Sequence, residues 1–256
     1  MPDLMIDRIA PTQRPGGRNA GTQRWESLLF CHWEVDPQVL RDALPRSLEL
    51  DQWQGRGYLG VVPFKMRRIR PPWLPARFAF NFYETNVRTY VTHQGRPGVY
   101  FFSLDASSRL AVIAARLGWS LPYFNATMSS RDNGDSCVYE SRRSRSAARH
   151  RVEFRRGEHL GVSQPDTLEF FLFERYLLFV ERRRAVFCGQ VHHSPYDVWN
   201  ASVDTLEDTL VEAAGLPSPD RLPDLCHYCP GVDVEVFSIE KVETRERGDG
   251  SIQTSR

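Results

Sequence analysis

Apolar and polar residues along this chain alternate mostly with a period of two, the signature of half-buried strands. Residues 25–35 follow that pattern and run into Asp36-Pro37, an N-cap followed by proline at the first helical position. Leu40, Ala43 and Leu44 then give a short helix one apolar face, and Pro45 ends it. Residues 58–66 and 79–92, rich in aromatic and β-branched side chains, read as strands. His93 to Gly98 reads as a turn into a further strand over 99–104. After a serine cap at 107 or 108, Leu110, Ile113, Ala114 and Leu117 recur at helical spacing, and Gly118 stands where a helix commonly stops.

Residues 137–143 with 150–156, and 176–181 with 185–193, are expected hairpins. Asp166 and Thr167 open a short helical turn, 206–214 reads as a helix closed by Gly215, and 233–240 as a last strand. Many strands with a few short helices imply a mostly-β, α+β domain. The regular alternation of strand and helix required by a doubly wound parallel fold is missing. Residues 1–22 and 244–256, rich in Gly, Pro, Arg, Asp and Ser without periodicity, are expected to be mobile tails. That leaves 23–243 as one domain.

The chain has 256 residues, of which 41% are hydrophobic, enough for one sizeable core. Its formal charge of +1 gives it no electrostatic reason to seek nucleic acid or an anionic membrane as a whole. The arginines between 142 and 156 are interleaved with Glu140, Glu153 and Glu158, so a solvated hairpin face is expected rather than a nucleic-acid surface. No run approaches the roughly 20 apolar residues of a membrane helix, and no apolar leader precedes residue 22. A cytoplasmic protein with thiol cysteines is expected. Lys65 and Lys241 are the only lysines, so any amine nucleophile must be one of these two. Cys226-His227-Tyr228-Cys229 is a lone Cys-x-x-Cys that would need two more ligands, such as His32 and His192; no metal and no cofactor are expected.

Phe30 to Pro37, followed by Leu40, Leu44, Pro45 and Leu48-Glu49-Leu50, resembles the opening of acetoacetate decarboxylase-like proteins. Further segments resemble the DUF2071 (YqjF-like) family: Leu59-Gly60-Val61-Val62-Pro63-Phe64-Lys65-Met66, Glu84-Thr85-Asn86-Val87-Arg88, Pro97-Gly98-Val99-Tyr100-Phe101-Phe102, Leu121-Pro122-Tyr123 and Gly189-Gln190-Val191-His192-His193. The likeness runs from about Trp25 to about Glu240. It implies a closed, cone-like antiparallel β-barrel with a buried central pocket and a few short peripheral helices, able to hold one small ligand. A homo-oligomer is compatible with the same resemblance.

The decarboxylase forms an imine between a lysine and a β-keto acid, and only a neutral amine of lowered pKa attacks. The resemblance places that lysine at Tyr123 or Phe124, after Gly118-Trp119-Ser120-Leu121-Pro122, and a pocket arginine at Glu34. Both groups are gone. The pocket glutamate remains as Glu84. A period of two sets Glu84, Asn86 and Arg88 on one strand face, where Arg88 can grip a carboxylate and Glu84 can act as acid or base. The alternative is a structural ion pair of Glu84 with Arg88, Arg109 or Arg116.

Tyr123 can donate to a carbonyl or enolate oxygen, or can simply pack in the core. Of His192 and His193 one should point inward, as a proton-transfer group or as a hydrogen-bonded structural residue. Candidates are therefore Glu84, Tyr123 and His192 for catalysis, with Arg88, Asn86, His32, Tyr100, His193 and Arg116 for ligand contact. The expected ligand is a small oxo-acid-like anion, with lyase or hydratase chemistry or binding alone as the two outcomes. Incubation with acetoacetate and borohydride should leave the intact mass unchanged; an adduct at Lys65 or Lys241 would overturn the loss of imine chemistry.

Overall fold

The computed structural model describes residues 6–109, 121–134, 136–183 and 185–242. The helix expected from 108 to 117 falls mostly outside these residues, as does the C-terminal tail. Thirteen strands among the described residues form one sheet: β1 Gly21–Val35, β2 Glu49–Leu50, β3 Gly57–Arg70, β4 Phe80–His93, β5 Arg96–Ala106, β6 Tyr123–Asp132, β7 Cys137–Arg143, β8 Arg149–Val162, β9 Leu177–Arg182, β10 Ala185–His193, β11 Asp197–Asp208, β12 Leu225–Val236 and β13 Glu240–Val242. Their order is β13-β10-β9-β5-β6-β7-β8-β11-β12-β1-β3-β4-β2, and β10 also pairs with β12 and β5 with β4. The pairs are antiparallel except at β5, which runs parallel to β6 and to β9. The fold is mostly β with few helices. The expected antiparallel rule therefore fails at β5.

Among the described residues three short α-helices accompany the sheet. In α1, Pro37–Ala43, the Asp36 carboxylate accepts from the Gln38 N–H at 2.8 Å, which is the cap the sequence suggests. In α2, Leu168–Phe173, the Thr167 hydroxyl accepts from the Phe170 N–H. The third, α3, spans only Leu210–Ala213. Residues 206–208, expected to be helical, instead extend β11, where they pair with His150 to Val152. A partner strand supplies hydrogen bonds that outweigh the modest helix preference of Leu-Glu-Asp. The expected turn at 93–98 is tighter than its composition suggests: Gln94 and Gly95 alone form it, both at positive φ, a two-residue hairpin whose twist suits the flanking strands.

The sheet buries apolar residues on both faces. On β1, Leu28 and Phe30 belong to one cluster with Phe64, Phe82, Leu104 and Phe171, whereas Leu29, Cys31 and Trp33 belong to another with Val87, Phe154 and Leu210. Cys226 lies with the second cluster and Cys229 with the first, so the Cys-x-x-Cys thiols project to opposite faces of β12. Among the described residues no three His, Cys, Asp or Glu converge as metal ligands.

One buried ion network ties distant parts of the chain together. Asp51 is 2% exposed and accepts from Arg8 at 2.5 and 2.7 Å and from Arg175 at 2.8 Å. Arg14 and Asn19 donate to Glu235. Residues of the expected N-terminal tail thus hold specific partners on the sheet. Because Arg175 is itself buried, Asp51→Ala is expected to cost about 3–5 kcal/mol in urea unfolding by stranding its charge. Arg8→Ala, at a more exposed end, should cost about 1 kcal/mol or less.

Candidate functional site

A cavity of about 370 Å³ opens on the face of the sheet that carries the first apolar cluster. Most of its wall is apolar, including Trp25, Phe64, Met66 and Phe82, and its charged groups among the described residues are Glu84, Arg88 and Arg175. Glu84 and Arg88 come from β4, where period-two alternation sends 84, 86 and 88 to this side and Val87 to the other cluster. Asn86 shares the buried face but is not part of the cavity wall.

Glu84 lies beside Tyr123, the first residue of β6, whose hydroxyl donates to Glu84 Oε2 at 2.7 Å. Burial raises the Glu84 pKa from 4.5 to about 7; the bonds from Tyr123 and Asn86 pull it down, and Asp105 behind the strand pushes it up. Tyr123 is pushed well above the ordinary phenol range, by burial first and then by Glu84. The ion pair considered from the sequence does not form with Arg88 or Arg109, since no carboxylate lies within salt-bridge distance of either among the described residues. Asp105 is instead bound by Arg143 at 2.7 Å, on the far side of the strand from the cavity.

Arg88 is held without a counter-charge. Its Nη2 donates to the Leu172 carbonyl at 3.3 Å, its guanidinium lies over the Phe30 and Tyr90 rings, and its Nε has no partner among the described residues. Arg175, also on the wall, bonds Asp51 and the Phe171 carbonyl yet keeps Nη2 unpartnered, as is the Trp25 Nε1–H. Among the described residues, three on the wall therefore carry a buried donor without an acceptor. Tyr196 and Tyr176 complete this side, tied together through Glu174, which accepts from the Tyr176 hydroxyl and the Tyr196 N–H.

Several expected contacts sit elsewhere. His32 is fully buried behind the cavity: the Tyr90 hydroxyl gives its proton to the Leu172 carbonyl, so His32 Nε2 donates to Tyr90 at 2.7 Å. Burial and nearby Arg88 keep its pKa well down, which makes it a neutral structural imidazole. His193 is the inward member of its pair, stacked on Tyr176 and bonded at Nδ1 to the Ser194 carbonyl, with its pKa lowered to about 4 by burial. His192 points away and lies 3.8 Å from Glu235, which moves it out of the candidate catalytic set.

Tyr100 also faces away, packed against Phe102. The reason is a bulge in β5: Val87 pairs with Ser103 but Arg88 with Phe101, and the skipped residue reverses which side chains face inward. Val99 and Phe101 line the cavity in place of Tyr100. Arg116 lies outside the described residues. Glu34 is at the surface with Arg56, and neither lysine lines the cavity. Arg175, Tyr176 and Tyr196 were not identified from the sequence. The available signal was a charged pair, Glu174-Arg175, closing the apolar run of α2.

The profile of DUF2071, described as an uncharacterized conserved protein, matches residues 22–233. The uncharacterized protein YqjF of Bacillus subtilis (strain 168) is 39% identical over 222 residues, covering 86% of this chain and 91% of that protein. The enduracididine biosynthesis enzyme MppR complexed with pyruvate superposes with a TM-score of 0.64 at 12% identity, covering 88% of this chain and 91% of that one. An acetoacetate decarboxylase-like enzyme from Sphingomonas wittichii RW1 gives 0.61 at 14% identity, over 89% and 95% of the two chains. The two solved structures are similar in fold.

Glu84 makes the stability of the chain depend on pH with a definite sign. Its folded pKa lies above the ordinary 4.5, so this group weakens the fold as pH rises from 4.5 through about 7, once the unfolded chain ionises more readily than the folded one. In paired thermal melts, Glu84→Gln should remove that downward slope. An unchanged difference between the two proteins across this window would show that Glu84 ionises normally.

Proposed function

The chain belongs to the DUF2071 family, and we propose that its central cavity binds a small oxo-acid-like anion, on which Glu84 and Tyr123 perform acid–base chemistry of the lyase or hydratase type. The single observation carrying this reading is Arg88, a buried guanidinium on the cavity wall with no carboxylate partner among the described residues. A buried cation without a counter-charge is costly, and a carboxylate ligand supplies both the charge and the acceptors that Arg88 and Arg175 lack. The pyruvate named with MppR belongs to the same chemical class, which is in keeping with this choice.

In this reading Arg88 fixes the ligand carboxylate and Arg175 and Tyr196 border it. Glu84, with a pKa of about 7, accepts a proton from a carbon next to the oxo group, or returns one, near neutral pH. Tyr123 donates to the charged form of Glu84 and so limits what ionisation costs in the cavity. No amine enters the scheme. The extra pairings β10–β12 and β4–β5 support reading the sheet as a closed, cone-like barrel around this cavity.

A second reading is favoured by one specific observation, the aromatic residues standing where the resembling enzyme keeps its lysine. On that reading the fold binds the same anion without turning it over. Thermal-shift titrations with pyruvate and acetoacetate test both. Arg88→Met is expected to weaken binding roughly tenfold or more, the loss of a charge-assisted bond worth about 1.5–3 kcal/mol. Glu84→Gln should keep binding and, if the protein is an enzyme, lower turnover by about 10²–10⁴. Full binding by Arg88→Met would refute the anion site.

A further inference from the structure

We propose that the cavity selects organic acids with an extended apolar tail, carboxylate deep at Arg88 and tail directed outward along β3 and β4. This rests on the anion reading above and adds the shape and chemistry of the rest of the ligand. The strand register fixes the order of the wall. Gly60 pairs with Arg88, Phe64 with Glu84, Met66 with Phe82, and Ile69 with Phe80. Moving outward from Arg88, the β3 and β4 wall among the described residues is thus charged, then acid–base, then apolar.

The apolar end is also the open end. Phe80 is 54% exposed and Ile69 half-buried, whereas β4 is buried continuously from Glu84 to His93. From Glu84 to Phe80 the strand climbs about 13 Å. Trp25 and Val236 face this outer stretch from β1 and β12, and the remaining polar wall residue there is Gln23. At about 370 Å³ the cavity is of a size that encloses drug-sized ligands, and an acid as small as pyruvate leaves its apolar half unfilled.

The unpartnered groups point the same way. Those at the inner end are donors (Arg88 Nε and Arg175 Nη2), with Trp25 Nε1 farther out beside Met66, so the head of the ligand must bring acceptors. Arg88 and Arg175 are both drawn inward: they share the Tyr90 ring and are bound to the carbonyls of Leu172 and Phe171 at the end of α2. An acceptor-rich head at one end and a hydrocarbon at the other describe a medium-chain oxo acid better than a small, uniformly polar one.

The test is a calorimetric series of straight-chain 2-oxo acids from pyruvate to 2-oxodecanoate, with alkylammonium ions of the same tails as controls. Affinity should rise roughly fourfold per added methylene until the cavity is full. Ile69→Trp, at the outer end, should abolish the gain for the longest acids and leave pyruvate unchanged. Met66→Ala should move the optimum to longer or branched tails, and thermal melts of both variants confirm folding. Constant affinity across the series would overturn the tail site while leaving the anion reading intact. No binding at any length would overturn both. Equal binding of the alkylammonium ions would overturn the head-inward orientation.

Discussion

Glu84 and Arg88 project from the same face of one strand, and extended backbone keeps them from neutralising each other. Four residues of β-strand separate their Cα atoms by about 13 Å, and the register of β3 and β5 holds β4 straight enough that neither side chain reaches the other. On a helix the same spacing would have made them neighbours and an ion pair. In a sheet each must meet the cost of burial separately, and much of the surrounding packing follows from how each does so.

Glu84 meets it by staying partly protonated and by taking hydrogen bonds from Tyr123 and Asn86. Arg88 is met by a carbonyl and by ring faces, a weaker compensation than a carboxylate gives. Arg175 shows the contrasting solution: it has Asp51, which in turn draws in Arg8 from the start of the described chain. Two buried guanidiniums stand on one cavity wall, one neutralised within the protein and one not. On the proposed reading, that difference is what would give the cavity a preference for an anion. Behind this wall His32, Tyr90 and α2 form a neutral hydrogen-bonded layer that fixes the arginine heads without adding charge.

The sequence made the local rules legible and left the long-range ones hidden. The Asp36 cap, the aromatic strands and the shared face of Glu84 and Arg88 depend only on near neighbours, and the structure places each as read. The absent lysine was legible because there are just two lysines to account for. β6 and β11 escaped notice because few of their residues are buried, so their alternation carries little hydrophobic contrast. Asp51 and Arg175 are 124 residues apart, and nothing local in either segment announces the other. The two histidines show the limit clearly. Parity required one to face inward, but the choice of His193 over His192 depends on the pairing of β10 with β12.

Tyr100 shows what one bulge does to such parity, and the consequence reaches beyond this chain. On β5 the cavity receives Leu104 opposite Asn86, and then, past the skipped Phe102, Phe101 and Val99. The strand is spliced in phase, as if two half-strands of opposite parity were joined at Phe102. Loss of that one residue in a descendant would leave a regular ladder, Ser103 opposite Val87 and Phe101 opposite Arg88, with Val99 and Phe101 still on the inner surface. A lineage carrying this fold can therefore lose or regain a residue at this point without changing which side chains of the strand face the cavity, so the bulge buffers that wall against changes in strand length.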